Sequence, residues 1–348
     1  MEHRSSFKER HIQDIELLGS PGSPYTRKML ALLRYRRIRH RMVWGSHFFP
    51  PAGYPPPKVK LLPTFYFTTD DGQEAMVDST PIIDRLEAMF EDRSVRPRDP
   101  VLCFLDRLIE DFADEWLTKA MFHYRWHYAS DASRAGALLA FWQDPQWRDS
   151  HAQRVAQDLA QRQISRLPVV GSNAVTVATI EASFVRLVGI LDRLIAREGF
   201  VFGSRPASAD FAIYGQLTQL ALVDPTPSSI VAQNAPRVRA WLDRVEDLSG
   251  CEPQEWLARA SIAPHLNELL AEIGRVYVPF LLANQAAIAA GRDTLDAEID
   301  GRRWTQPVFP YQLKCLQTLQ QTRTQLNSSD RAQLDVVLHA SGCGGLIV

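Results

Sequence analysis

Apolar positions recur in two rhythms along this chain. In its first part they come as short runs. Residues 15–18 predict a strand, closed by the Gly- and Pro-rich turn at 19–24. Met29, Leu30, Leu32 and Leu33, interleaved with Arg27, Lys28, Arg34 and Arg36, predict an amphipathic helix. Residues 40–44 read as a second strand, and 48–57, rich in Pro, Gly and aromatics, as loop. Residues 61–67 and 74–77 predict a β-hairpin turning at Asp71-Gly72. Thr80-Pro81 then opens a helix, Thr as N-cap and Pro at the first helical position, with Ile82, Ile83, Leu86 and Met89 as its stripe.

Beyond a charged, proline-bearing linker at 92–100 the period is helical. One long helix is expected over 101–128, and others near 150–164, 177–197, 209–222, 237–248 and 264–290. A polar segment with Asp300-Gly301 reads as a small hairpin. Two final helices follow near 311–326 and 330–340. The order βαβ, β-hairpin, α, then helices throughout predicts a small α/β domain ahead of a larger all-helical one.

Composition narrows the function. The 348 residues fit roughly two domains of ~150 each. Lys and Arg number 39 against 40 Asp and Glu, a formal net charge of −1, so no electrostatic argument favours nucleic acid or an anionic membrane as partner. Cys103, Cys251, Cys315 and Cys343 are scattered, without a C-x-x-C pair, which indicates neither a zinc site nor a disulfide framework and fits a reducing compartment. Residues 1–13 are polar, and the most apolar stretch, 276–290, is broken by Pro279, Asn284 and Gln285. The expectation is a soluble, cytoplasmic protein.

Three constellations carry candidate chemistry. In the segment 19–26 a strand-to-helix turn aims backbone N–H groups and a helix dipole into a cleft, where a thiolate would be stabilised. Ser23 is the best-placed hydroxyl donor and Ser20 the next; either serine would equally cap the helix. In Leu61-Leu62-Pro63-Thr64, a Pro at a strand start fits an edge strand or a cis peptide that turns the Leu62 backbone toward a ligand. In 77–81, Asp78 suits an ammonium group, and Ser79 with the helix N-terminus a carboxylate; the same residues suit plain capping.

Taken in this order, the three resemble the N-terminal, thioredoxin-like domain of glutathione S-transferases. Ser23-Pro24-Tyr25-Thr26 is similar to the Ser-Pro-Phe motif of tau-class enzymes, Pro63 to the family's cis-proline, and Asp78-Ser79 to its acidic-Ser pair for the γ-glutamyl group. Residues 202–211 and 236–241 resemble motifs of the family's helical domain. The resemblance covers approximately 15–248. It implies a thioredoxin-like domain at 12–93 (βαβ-ββα), an all-helical domain at 99–262, and a helical extension at 263–348 outside the family pattern. It also implies glutathione as co-substrate, a small electrophile as acceptor, no metal, and a homodimer. Ser23 would donate to the glutathione thiolate, Leu62 and Pro63 would present backbone to its cysteinyl unit, and Asp78 and Ser79 would hold its α-ammonium and α-carboxylate.

Three departures stand out. Neither 23 nor 26 is Cys, which removes dithiol chemistry from that motif. Ala207 stands where the family has a Ser or Thr cap before Asp210, with Ser208 as the next candidate cap. The segment 47–60 is Pro-rich where the family has a short helix, leaving Lys58 or Lys60 as candidates for the glycine carboxylate.

The resemblance implies that the 101–128 helix faces the thiol site, so that Trp116, His123, Tyr124 and Trp126, with Tyr25, would line an acceptor pocket for an apolar or aromatic substrate; the helix aromatics equally suit domain-interface packing. His123 and His127 share a helix face, but the acidic cluster at 110–115 lies roughly 12–18 Å along the axis, which argues against a metal site. Two other functions remain open: a catalytically silent binding or scaffolding protein, and a glutathione-dependent reductase or peroxidase drawing on a distant cysteine.

Overall fold

The computed structural model describes residues 15–47, 51–70 and 72–347. Its N-terminal unit is a four-stranded sheet. Strands β1 (Ile15–Gly19) and β2 (His40–Trp44) are parallel and joined through helix α1 (Pro24–Tyr35). Strands β3 (Thr64–Thr69) and β4 (Gly72–Met76) form an antiparallel hairpin, and α2 (Ser79–Met89) follows. Sheet order is β2-β1-β3-β4, with β3 antiparallel to β1. This is the expected thioredoxin-like βαβ-ββα arrangement. Of the predicted Asp71-Gly72 turn, Asp71 lies outside the described residues, as does part of the 48–57 loop; residues 51–63 contain no helix.

The rest is mostly helical. Helix α3 (Pro100–Phe112) starts at Asp99, whose carboxylate accepts from the Val101 and Leu102 amides. It runs through a π-helical stretch (Ala113–Leu117) into α4 (Thr118–His127). Next come α5 (Ala129–Phe141), α6 (Asp149–Ile164), α7 (Val177–Glu198) and α8 (Ser208–Thr218). A second π-helical stretch leads to α9 (Pro225–Asn234), then α10 (Pro236–Val245) and α11 (Ile262–Ala289). The hairpin β5 (Thr294–Ile299) and β6 (Arg302–Pro307) is followed by α12 (Pro310–Thr324) and α13 (Ser328–Ala340). Among the described residues no helix is long and apolar enough to cross a membrane.

One apolar core joins these parts. Leu17 and Phe65 of the sheet, Phe112 and Leu217 of the helical region, and Leu270, Trp304 and Leu334 of the C-terminal segment belong to a single cluster of fully buried side chains. The stretch 263–348, surplus to the resemblance, thus completes the helical core. The Trp304 ring lies tilted against Trp116, centroids 5.0 Å apart, and meets Phe280 edge-to-face at 6.0 Å.

One close contact seats the N-terminal unit on the helices. Helix α1 crosses α8 at Gly215, where a Cβ would sit 2.4 Å from the Pro24 carbonyl oxygen, so only glycine permits the approach. At the start of α8, Ala207 supplies no cap. Asp210 turns back to accept from the Ala207 amide at 2.9 Å, and Asp106 accepts from the Ala209 amide at 2.9 Å. Ser208 does not cap; its hydroxyl bonds to Asp106 and Glu110 instead.

Candidate functional site

Ser23 is the N-cap of α1. Its extended backbone and Pro24 at the first helical position start the helix, and its Oγ accepts from the Thr26 amide at 3.2 Å. That uses an acceptor lone pair and leaves the hydroxyl proton. The Leu62 carbonyl lies 3.5 Å away, at the outer limit of a hydrogen bond, so the proton is available to a better acceptor. The Leu62–Pro63 peptide is cis. The turn before Ser23 is clamped from the helical side: Arg125 donates to the Gly22 carbonyl at 3.0 Å and Gln219 to that of Pro21 at 3.1 Å. Ser20, the alternative hydroxyl, is buried and lines neither cavity described below.

Asp78 is the N-cap of α2, with φ of 78°, a left-handed conformation that Asp and Asn tolerate best among residues with a Cβ. Its carboxylate accepts from the Thr80 amide at 3.4 Å and from the Tyr311 hydroxyl of α12 at 2.7 Å. Ser79 is buried, and its Oγ accepts from Lys28 Nζ at 2.9 Å.

Beneath Ser79 lies a buried ionic cluster. Lys28 Nζ sits 2.8 Å from Glu110 and 2.6 Å from Asp114, all three screened from solvent. Arg96 from the linker reaches Asp106 at 2.9 Å and Glu110 at 2.6 Å. Burial opposes ionisation of Glu110, but Arg96 and Lys28 outweigh it and hold its carboxyl below the ordinary range. Lys28 is held cationic by Asp114 and Glu110 against its own burial.

Two cavities flank Tyr25. One, of about 330 Å³, is lined by Leu62, Pro63, Asp78 and Ser79 together with Asp114, Glu115, Phe309 and Tyr311. Among the described residues it is lined by three carboxylates and no basic residue. The other, of about 700 Å³, lies between the domains. Ser23, Leu62 and Lys60 line it on one side, and Met121, Phe122, Trp126 and Arg166 on the other. Tyr25 belongs to both and anchors its hydroxyl on the Asp114 carbonyl at 2.7 Å.

Burial raises two carboxyls that line the acidic cavity, Asp114 and Glu115, and a third, Asp111, that lies outside its lining. Asp111 rises to about 6, against the donating Tyr277 hydroxyl. Asp114 rises to about 7, against Lys28. Glu115 rises to about 8, helped by the charge on Asp111. Raised folded-state values stabilise the fold below the ordinary carboxylate range, and that stability is lost as pH rises through about 6 to 8. Thermal melts are expected to fall by a few degrees across that window. Glu115→Gln should flatten the fall, and calorimetry should show an ammonium ligand binding more tightly over the same window as the cavity gains charge.

The structure brings Ser23, Leu62, Pro63, Asp78, Ser79 and Tyr25 to these adjoining cavities, with Trp126 on the far wall. Trp116, His123 and Tyr124 do not join them. Trp116 is buried against Phe280 and Trp304 and donates to Ser183 at 2.9 Å. His123 is fully buried, bonded to Ser172 at 2.8 Å and Glu181 at 3.2 Å, and Tyr124 packs on Phe184. Among the described residues no group of three or more His, Cys, Asp or Glu is arranged to hold a metal. Sequence reasoning missed Lys28, Asp114, Glu115, Phe309 and Tyr311. For Lys28 the signal was present: it sits one turn from Pro24 and from Leu32, on the buried stripe of α1.

Residues 17–94 match the family described as glutathione S-transferase, N-terminal domain, and residues 145–244 the glutathione S-transferase C-terminal domain. These stretches span more than half of the chain, in the order the fold requires. The chain belongs to the glutathione S-transferase superfamily. Among solved structures it is similar to a GST-like protein from Pseudomonas syringae, with 16% identity and a TM-score of 0.43 over 67% of this chain; it spans 66% of that protein's length. It is also similar to the β-etherase LigF from Sphingobium, at 18% identity and TM-score 0.47, covering 66% of this chain and 94% of that one. A glutathione S-transferase from Methylobacterium radiotolerans, in complex with glutathione sulfonate, shares 19% identity at TM-score 0.38, covering 70% and 96%. No curated protein sequence matches the chain.

Proposed function

We propose that this protein binds glutathione and activates its thiol for attack on a small electrophile. One observation carries the reading: the Ser23 hydroxyl, at the N-terminus of α1 and beside the cis Leu62–Pro63 peptide, opens on the larger interdomain cleft, and Tyr25 and Leu62, which line both cavities, join that cleft to the acidic one. The γ-glutamyl end enters the acidic cavity, its ammonium on Asp78 and its carboxylate on Ser79 and the α2 N-terminus. The cysteinyl unit pairs with the Leu62 backbone and places its sulfur at Ser23. Lys60, on the approach to Leu62, suits the glycine carboxylate. The thiolate attacks the electrophile's carbon, a carbon–sulfur bond forms, and the leaving group departs with its electron pair. The thiol proton has by then passed to solvent. As in the family at large, the working form is a cytoplasmic homodimer. Among the described residues no cysteine lines either cavity, which leaves the reductase reading without a cysteine beside Ser23.

Calorimetry tests the binding step. Asp78→Asn keeps the left-handed backbone and the cap while removing the charge, and should weaken glutathione about 10- to 100-fold. An unchanged affinity would remove Asp78 from the site.

A specific contact favours a second reading, a silent binding protein: the Tyr311 hydroxyl already occupies Asp78 at 2.7 Å. A ligand ammonium must displace or share it. Tyr311→Phe is therefore expected to tighten glutathione a few-fold. Wild type and Tyr311→Phe both failing to bind at millimolar glutathione would leave the silent reading standing.

A further inference from the structure

The two cavities on either side of Tyr25 differ in charge. Among the described residues Asp78, Asp114 and Glu115 line the smaller one, and no cation does. The larger cleft is the reverse: His47, Lys60, Arg125, Arg162 and Arg166 line it, and among the described residues no carboxylate does. Arg125 is already spent, its guanidinium bonded to Asp224, Gln219 and the Gly22 carbonyl. Lys60 and His47 belong to the thioredoxin-like wall, beside Leu61 and Leu62. Arg162 stands in the last turn of α6 and Arg166 in the turn just past its end, on the helical wall; both are solvent-exposed, and Arg166 forms no ion pair among the described residues. Between the basic walls the surface is apolar, with Met121, Phe122, Trp126 and Leu139 from the helices.

We propose that the acceptor this cleft selects is an amphipathic anion: an electrophile with an aromatic or similarly flat apolar body and a carboxylate at its far end. The body lies on Phe122 and Trp126, and the carboxylate meets Arg162 and Arg166, whose planar guanidinium groups suit it better than a point charge would. Reaction and recognition are then separated across the cleft. The electrophilic carbon faces Ser23, and the anion faces the opposite wall. The position of Lys60 and His47 on the other wall lets the glycine carboxylate and the acceptor's carboxylate be held by different cations. Salt should weaken this recognition more than it weakens burial of the apolar body, because the arginines are exposed.

The substrate class rests on the glutathione reading above, so the test has one arm that depends on catalysis and one that does not. In the first, chlorodinitrobenzoate, with chlorine para to the carboxyl, is compared with its neutral carboxamide at saturating glutathione. In both, the thiolate attacks the chlorine-bearing carbon, a carbon–sulfur bond forms, and chloride leaves with the bonding electrons. The acid is expected to have the higher kcat/KM once each is divided by its uncatalysed rate. In Arg162→Gln/Arg166→Gln the acid-to-amide ratio should fall roughly five- to tenfold. An unchanged ratio overturns the proposal, as does a loss that appears instead as a raised KM for glutathione. In the second arm the unreactive dinitrobenzoate and dinitrobenzamide are titrated against tryptophan fluorescence without glutathione. The acid should quench at lower concentration, and the advantage should vanish in the double variant and at high salt. Selective quenching without turnover of either electrophile would retain this inference and remove the catalytic one. Turnover of both electrophiles without preference, with equal quenching by both ligands, would do the opposite.

Discussion

Replacing Lys28 by methionine is expected to destabilise the fold by about 3–5 kcal/mol, the range for removing one partner from a buried ion pair. Lys28 is 1% exposed and is the cation shared by Glu110, Asp114 and the Ser79 hydroxyl. Methionine fills a similar volume, so little of the loss comes from packing. The remainder is electrostatic. Glu110 keeps Arg96, but Asp114 is left with a buried charge and no cation within reach, and it takes up a proton. The loss should therefore shrink as pH falls, and Asp114→Leu in the same chain should recover part of it. Denaturant midpoints measure both, provided the slope is unchanged. A loss under 1 kcal/mol, or a double variant no better than the single one, would contradict the assignment of Lys28 as the keystone between α1, α2 and α3. The same substitution frees Ser79 Oγ, so any folded fraction should show altered glutathione affinity as well.

How much of this was legible beforehand differs between the two halves. The sheet was legible because its central strands β1 and β3 are short apolar runs, and because Gly19, Gly45, Pro63 and Gly72 mark the ends of the four strands. Two helices escaped. Helix α5 buries Ala132, Ala135, Gly136 and Ala140, small side chains that make a weak stripe. Its smallness serves contact: a Cβ at Gly136 would come 2.9 Å from the Ala156 carbonyl of α6. Helix α9 opens Pro225-Thr226-Pro227, which reads as loop although proline is tolerated in a first turn.

The candidate site was legible on the thioredoxin-like side, where local turn and cap chemistry places Ser23, Pro63 and Asp78. It was not legible on the helical side. The π-helical stretch Ala113–Leu117 shifts the register between α3 and α4, so a constant helical period misassigns the faces of Trp116, His123 and Tyr124. Only Trp126 reaches the cleft. Tyr311 was beyond reach for a different reason. It meets Asp78 across 233 residues of sequence, through packing of α12 that no local pattern encodes.

Ser23→Ala is the prediction closest to the chemistry. The hydroxyl has two jobs that the variant removes together, capping α1 and donating to a thiolate. Loss of the cap should destabilise the fold by about 1 kcal/mol. Loss of the donor should lower kcat about 100-fold, the lower range for deleting one preorganised donor to a developing or resident anion. Glutathione affinity should change by less than a factor of a few, because Asp78, Ser79 and the Leu62 backbone carry the binding. The two jobs separate in other variants. Ser23→Asp keeps an acceptor for the Thr26 amide but, ionised, has no proton to donate, so it should restore stability and not turnover. Ser23→Thr keeps both and should restore most of each. The diagnostic readout is the pH profile of kcat/KM. Without the Ser23 proton the bound thiol ionises at higher pH, so the rising limb should move alkaline in Ser23→Ala and return in Ser23→Thr. A merely structural role would lower the plateau and leave that limb where it was. Unchanged turnover in Ser23→Ala would pass the task to the α1 dipole and the Leu62 backbone, since Ser20 is buried away from both cavities.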